Sequence, residues 1–305
     1  MKPIIIAECC QNHNGDREIL KKQIHKAQAA GADYVKIQAI RSNELSFRER
    51  FENGIIDENN NVISIKRPYD LEYERLQKLD LSIEDELFFV NECKSAGIKS
   101  MTTVFTISAL EEIKNQSYDA VKIASYDCAS YDLLKQTKKY FNKIFVSTGA
   151  TFDNEIEEAA KIMEDVKEFH FLHCLTIYPT PMNNLNLNRM NFLKKFTKNV
   201  GYSDHSHVKT TKLWASKIAL YLGASCIERH FTILKEDKTK DGPVSINPSQ
   251  LKELCDFAKL SKDEMFLLIK NGYPDYEKCF GSESRNLSKE ELLNRDYYKG
   301  RFVSK

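Results

Sequence analysis

The sequence has no charge of one sign to spare. Its 45 Lys and Arg face 44 Asp and Glu, a net of +1, so it carries no electrostatic footprint for nucleic acid or for an acidic membrane surface. It has no apolar run of membrane-spanning length. Among its eight cysteines there is no CxxC pair, and the adjacent Cys9 and Cys10 cannot readily bridge each other. That usage reads as reduced thiols in a cytoplasmic protein. The first segment meets an acid, Glu8, after five uncharged residues, which suits a first strand rather than a signal peptide. The turn after that strand lacks GxGxxG, which disfavours a dinucleotide-binding open sheet.

What is present is a repeated alternation. Short apolar runs are expected as strands at 4–8, 34–38, 99–103, 120–125, 143–147, 168–173, 199–203 and 225–230. Between them lie helical patterns with their own stop and start chemistry. Asp16 caps a helix that Gly31 ends, and Ser82 caps one that Gly97 ends. Asp153 is read as the cap of a helix over 154–165. Further helices are expected over 107–115, 131–140, 189–196, 209–222 and 248–262, the last taken as final. Eight such units predict a single (β/α)₈ barrel of the TIM type, an α/β fold, over residues 1–272. Residues 273–305 read as a C-terminal extension. A polar excursion from about 41 to 81, with a hairpin around Asp57–Asn61, follows the second strand, and a loop of that length is usually functional or disordered.

In a barrel of this kind chemistry sits where the strands end. The ends here are Glu8, Lys36 with Gln38, Thr103, Lys122 with Ser125, Ser147 with Thr148, His173, Ser203 with His205, and Glu228 with His230. Water at a strand end explains one or two of these. It does not explain lysines, histidines and hydroxyls converging on one mouth, since each costs desolvation unless paired. Lys36, Lys122 and the hydroxyls fit a phosphate together with a carboxylate. His205 and His230, at successive strand ends, can bind a divalent metal that polarises a carbonyl. Glu8 and Asp241 are candidate acids for proton transfer or for substrate hydroxyls. A Schiff-base aldolase using Lys36 or Lys122 is the competing chemistry. His25, His170 and His207 read as surface or helix-flank residues, while His13 and His173 lie near the mouth with either role open.

The motifs Ile6-Ala-Glu8 with Asn12-His-Asn-Gly15, Gly31 to Gln38, Val121 to Ser125, Val146 to Gly149, His173-Cys174 with Ile177 to Pro181, Gly201 to His205, and Glu228 to Phe231 together resemble the sialic acid (N-acetylneuraminate) synthase family. The resemblance covers roughly the first 250 residues. It implies a transferase that condenses phosphoenolpyruvate with an N-acyl amino sugar aldehyde, giving a nonulosonic acid and phosphate. It implies His205 and His230 as ligands of Mn²⁺ or Mg²⁺. It implies Lys36, Thr103, Lys122, Ser125, Ser147 and Ser203 as the phosphoenolpyruvate pocket, with Glu8, Tyr178 and Asp241 at the sugar. Asp127 stands where the family usually has a catalytic glutamate, Tyr126 replaces a glycine, and Thr176 replaces a common asparagine. Many members work as homodimers in which a C-terminal antifreeze-like (SAF) domain brings an arginine to the partner's sugar. Residues 278–305 are too few for that domain, leaving Arg285, Arg295 or Arg301 as stand-ins. Two further readings stay open: another phosphoenolpyruvate-condensing barrel acting on a sugar phosphate, and a non-catalytic sugar-binding barrel.

Overall fold

The computed structural model describes residues 2–304. Eight strands close into one barrel: β1 Ile4–Cys10, β2 Tyr34–Ala39, β3 Lys99–Val104, β4 Ala120–Ile123, β5 Lys143–Ser147, β6 Glu168–Cys174, β7 Val200–Asp204 and β8 Cys226–His230. Every neighbouring pair is parallel and consecutive in sequence, and β1 closes the ring on β8. The expected barrel is therefore present, with helices between its strands.

The two-residue period of a strand builds the interior in layers. The lower layer is apolar: Ile6, Tyr34, Met101, Ala120, Phe145, Leu172 and Cys226 pack as one buried cluster. Gly201 occupies the β7 position of this layer. A Cβ there would lie 2.5 Å from the Cys226 carbonyl oxygen and 2.6 Å from Leu172 Cδ2, so only glycine fits. Two residues further along each strand, the same inward face carries Glu8, Lys36, Thr103, Lys122, Ser147, Cys174, Ser203 and Glu228, all buried. The apolar floor thus obliges the polar layer above it to stand at the barrel mouth.

The outward faces of the strands pack under the helices. Leu20, Ile24 and Ala27 of the helix Arg17–Ala30 are fully buried in that outer core, each large side chain contributing about 1.5–3 kcal/mol. Asp16 accepts from the backbone N–H groups of Glu18 and Ile19, and Gly31 ends the helix at φ +91°. Ser82 forms a capping box with Asp85.

Several elements differ from the sequence reading. Asp153 is the first helical residue rather than the cap, because Glu155 reaches back to the Phe152 N–H and frees Asp153 to pair with Arg189. The segment 209–222 is two helices, Val208–Thr211 and Trp214–Tyr221, broken at Lys212 with φ +52°. The helix from Pro248 ends at Phe257, and two more follow, Lys262–Gly272 and Lys289–Tyr298. The excursion after β2 contains the expected hairpin and an unexpected helix, Tyr69–Gln77.

The C-terminal segment returns over the mouth. Phe302 bridges to Leu45, the Val303 N–H donates to the Glu44 carbonyl, and the Ser304 hydroxyl accepts from the Ile107 and Ser108 N–H groups. Tyr298 stacks on Tyr126 with centroids 4.8 Å apart. Asn294 donates to the Thr176 carbonyl at 2.8 Å, and Arg295 donates to Glu155.

Candidate active site

A cavity of about 400 Å³ opens at the strand ends. Of the residues singled out by sequence, Glu8, Lys36, Thr103, Lys122, Ser125, Ser147, Tyr178, Ser203, His205, His230 and Asp241 line it. Glu228 and Cys10 line it too.

The floor of the cavity is an ion cluster. Lys36 pairs with Glu8, donates to Thr103 Oγ1 at 2.8 Å and lies 3.7 Å from Glu228. Lys122 pairs with the other oxygen of Glu228, which also accepts from Ser203 Oγ at 2.9 Å. Burial pushes the Lys36 ammonium down to about 7. Burial also works to raise the Glu228 carboxyl, but Lys122 and Lys36 hold it well below the usual carboxylate range. Both lysines are therefore already partnered. Among the described residues, Ser147 Oγ on this floor is buried without a hydrogen-bond partner, and Glu228 Oε2 has only its longer ion pair to Lys36. Unmet buried groups of this kind are costly, and they mark where a polar ligand would sit.

The missing positive charge for an anion comes from the rim. Arg67 and Arg75 from the excursion after β2, Lys240 from the loop after β8, and Arg301 from the C-terminal segment all line the cavity. Counting the walls and floor, six cations (Lys36, Arg67, Arg75, Lys122, Lys240, Arg301) stand against four carboxylates (Glu8, Glu228, Asp241, Glu290). Glu72, just outside this lining, pairs with both Arg75 and Arg301, so among the described residues Arg67 and Lys240 are the rim cations left to meet an anion. Among the three C-terminal arginines, Arg285 is held by Glu291 and Arg295 by Glu155. Arg301 alone lines the cavity, bonded to Glu72 with its Nε buried and unpartnered.

One wall gathers donors that could hold a cation. His205 and His230 stand with ring centroids 5.4 Å apart. His205 Nδ1 donates to the Leu175 carbonyl at 2.9 Å, since a carbonyl can only accept. That leaves Nε2 as the lone-pair nitrogen, 3.2 Å from Tyr178 Oη. Burial, then the neighbouring His230, pushes His205 down to about 3, so it is neutral, with its Nε2 lone pair accepting from the Tyr178 hydroxyl. Burial likewise lowers His230, and its Nδ1 is buried without a partner. Burial works to raise Asp241, but His230 and the Cys10 thiol hold it below its ordinary value. Ligand atoms of Cys10, His230 and Asp241 all lie within 4.8 Å of one another. These donors fit a divalent metal, which would be held by His230 and Asp241 with His205 beside them.

Asp127 is the exception among the expected site residues. Strand β4 ends at Ile123, and Asp127 sits on the turn beyond it, outside the lining of the main cavity. It accepts from Ser130 Oγ at 3.1 Å beneath Tyr298 and Phe302. Burial pushes its carboxyl up to about 7. A carboxyl raised from its unfolded value near 3.8 is held protonated by the fold. The native state then binds more protons than the unfolded chain between those two values, so stability falls as pH rises from about 4 to about 7. Asp127→Asn is expected to remove that slope, so its melting temperature gains on the wild type across this window and keeps the gain above it. Thermal melts at pH 4 to 8 check this; parallel profiles would contradict it.

His173 and His13 do not reach the cavity. His173 faces outward between inward-pointing Leu172 and Cys174 and bonds the Leu185 carbonyl at 2.7 Å, and His13 Nδ1 accepts from the Gly15 N–H at 3.0 Å. His170, read as a flank residue, is buried and stacks on Phe145 with centroids 4.3 Å apart. Glu228 and Cys10 were the residues that the sequence reading left without a role. The signal was present, because each lies on the inward face two residues from a recognised site residue.

Comparison with known proteins gives one consistent result. A family model described as the NeuB family matches residues 23–265. The chain is 32% identical to an N,N'-diacetyllegionaminic acid synthase of Campylobacter jejuni, with 99% of this chain and 88% of that protein covered. It is 28% identical to a pseudaminic acid synthase of Campylobacter jejuni, covering 100% and 82%. A crystal structure described as N-acetylneuraminic acid synthetase from Leptospira borgpetersenii superposes with a TM-score of 0.72 at 24% identity, covering 97% and 91%. That last likeness is one of fold.

Proposed function

The chain belongs to the NeuB family, and from that premise we propose that it condenses phosphoenolpyruvate with the open-chain aldehyde of an N-acyl amino sugar. The products are a nonulosonic, sialic acid-like acid and phosphate. The observation that carries this reading is a single cavity with Lys36 and Lys122 on its floor and His205, His230 and Asp241 on its wall.

A divalent metal on that wall would supply Lewis-acid polarisation of the aldehyde oxygen. The chain's own residues do the rest. Lys36, Lys122, Thr103, Ser125, Ser147 and Ser203 hold the phosphate and carboxylate of phosphoenolpyruvate, and the rim cations draw it in. C3 of the enol phosphate then forms a bond to the aldehyde carbon. Water adds at C2, and the C–O bond to phosphate breaks. One proton is delivered to the new hydroxyl oxygen, one leaves the adding water, and the remaining C2 hydroxyl proton passes to the departing phosphate as the keto group forms. Lys36, brought to about 7 by burial and paired with Glu8, is suited to that exchange at neutral pH. Tyr178, whose ring lies over His205 with centroids 4.1 Å apart, would hold the sugar against the metal wall.

The test is release of orthophosphate from phosphoenolpyruvate in the presence of Mn²⁺ and a panel of N-acyl hexosamines. Release that requires both metal and sugar is expected. No release with any sugar, from folded protein, would contradict the reading. The aldolase alternative is disfavoured because the same cavity carries His205, His230 and Asp241, donors for a divalent metal that an imine route does not need. Borohydride added with substrate is therefore expected to leave activity unchanged, and irreversible inactivation would revive the imine route.

A further inference from the structure

We propose that Cys10 is a thiolate ligand of the divalent metal, giving with His230 and Asp241 a mixed sulfur, nitrogen and oxygen site. This deepens the metal-dependent reading above and rests on it for the role of the metal.

Three observations on different levels converge. The first is backbone. Cys10 ends β1 at φ +47°, beside a shift in register between Glu8 and Cys10. That is the left-handed region, which glycine adopts freely and a residue with a Cβ does not. A side chain kept at a strained position argues that the side chain is used. The second is placement. Cys10 stands two residues beyond Glu8 on the inward face of β1 and is buried at the cavity wall. Its Sγ lies 3.0 Å from Asp241 Oδ2. The third is the gap they face. His230 Nδ1 is buried with no partner, and the sulfur, nitrogen and carboxylate atoms lie within 4.8 Å of one another.

A thiol that merely bonds Asp241 would account for the short contact. It would not account for the unpartnered imidazole beside it or for a cysteine held at positive φ. Metal binding would exchange the S–H to carboxylate bond for two bonds to the cation, with the thiol proton passing to solvent. A sulfur ligand also shifts preference. Carboxylate oxygens suit Mg²⁺ or Mn²⁺, whereas thiolate and imidazole together favour a softer ion such as Zn²⁺.

The full chain, stripped with a chelator and titrated with Co²⁺, tests this without any turnover. The expected result is a sulfur-to-cobalt charge-transfer band in the near ultraviolet that saturates at one equivalent. The band is expected to vanish in Cys10→Ser and Cys10→Gly, with Co²⁺ affinity lowered at least about tenfold. Cys10→Gly is expected to fold, because glycine relaxes the backbone there, and a thermal melt confirms it. Cobalt binding without the charge-transfer band, unchanged affinity in Cys10→Gly, or no cobalt binding would each overturn the assignment. The band appearing in a protein with no synthase activity would instead overturn the reaction proposed above and leave this ligand standing.

Discussion

Replacing His230 with alanine lowers turnover by on the order of 10³-fold or more while the protein stays folded. The imidazole stands at the end of β8 with its Nδ1 unpartnered in the buried wall, so its removal breaks no hydrogen bond at that atom. On the metal reading proposed above, what is lost is a ligand. Lewis-acid stabilisation is worth several kcal/mol, and each 1.36 kcal/mol is a factor of ten in rate. The loss is expected in kcat/KM for the sugar, with phosphoenolpyruvate binding retained, because the lysines proposed to hold the enol phosphate lie on the cavity floor rather than on the wall with His230. Calorimetric titration of phosphoenolpyruvate alongside the steady-state assay separates the two. A variant within tenfold of wild type would remove His230 from the metal site.

The second large effect is on stability. Glu228 is clamped between Lys122 and Lys36 and accepts from Ser203. All three charged groups are buried. Glu228→Gln keeps the shape and removes the charge, leaving Lys122 unpaired at depth. Breaking a buried pair in this way costs about 3–5 kcal/mol, or roughly 10 °C of melting temperature in a domain of this size. The sign with pH follows from the depressed carboxyl. Its contribution is fully present above the unfolded carboxylate value of about 4.3 and is lost as pH falls through the lower native value. Glu228's own share of the gap is therefore constant above about pH 6 and is lost only in acid, while Lys36, whose ammonium Glu228 helps hold up to about 7, adds a share that fades as pH rises through that value. Adding Lys122→Met to Glu228→Gln recovers part of the loss, because the orphaned charge goes with it. A single variant that melts within about 2 °C of wild type would show that the cluster is hydrated and cheap to break.

Much of this was legible before the structure. The barrel followed from helices with clear stops, such as Gly31 and Gly97, alternating with short strands. The polar lining of the cavity followed from polar residues at strand ends, and the two-residue period explains why they meet there. Glu8, Lys36, Thr103, Lys122, Ser147, Ser203 and Glu228 each stand two residues beyond an inward residue of the apolar floor, so a single face rule places them together. The same rule excludes His173, which lies between inward Leu172 and Cys174. It also explains the failure at Asp127: β4 ends at Ile123, and beyond a strand end the face rule no longer applies.

What stayed hidden depends on tertiary contact. Nothing local in Lys212 announces that it breaks a helix at positive φ. The rim cluster draws on residues 67, 75, 240 and 301, far apart in sequence and joined only when the C-terminal segment folds over the excursion after β2. That excursion, readable only as functional or disordered, is an ordered wall of the cavity. Cys10 was passed over because an adjacent Cys9-Cys10 pair resembles two inert buried thiols. Its contact with Asp241 spans 231 positions.

The measurement that tests the central claim most directly is the fate of the bridging oxygen of phosphoenolpyruvate. Enzyme, Mn²⁺, an accepted N-acyl hexosamine and phosphoenolpyruvate labelled with ¹⁸O at that oxygen are incubated together, and the products are read by mass spectrometry. The account predicts a 2-keto acid three carbons longer than the sugar, carrying no label, and orthophosphate carrying all of it. Label retained in the organic product, or phosphate released with no carbon–carbon bond formed, would contradict it.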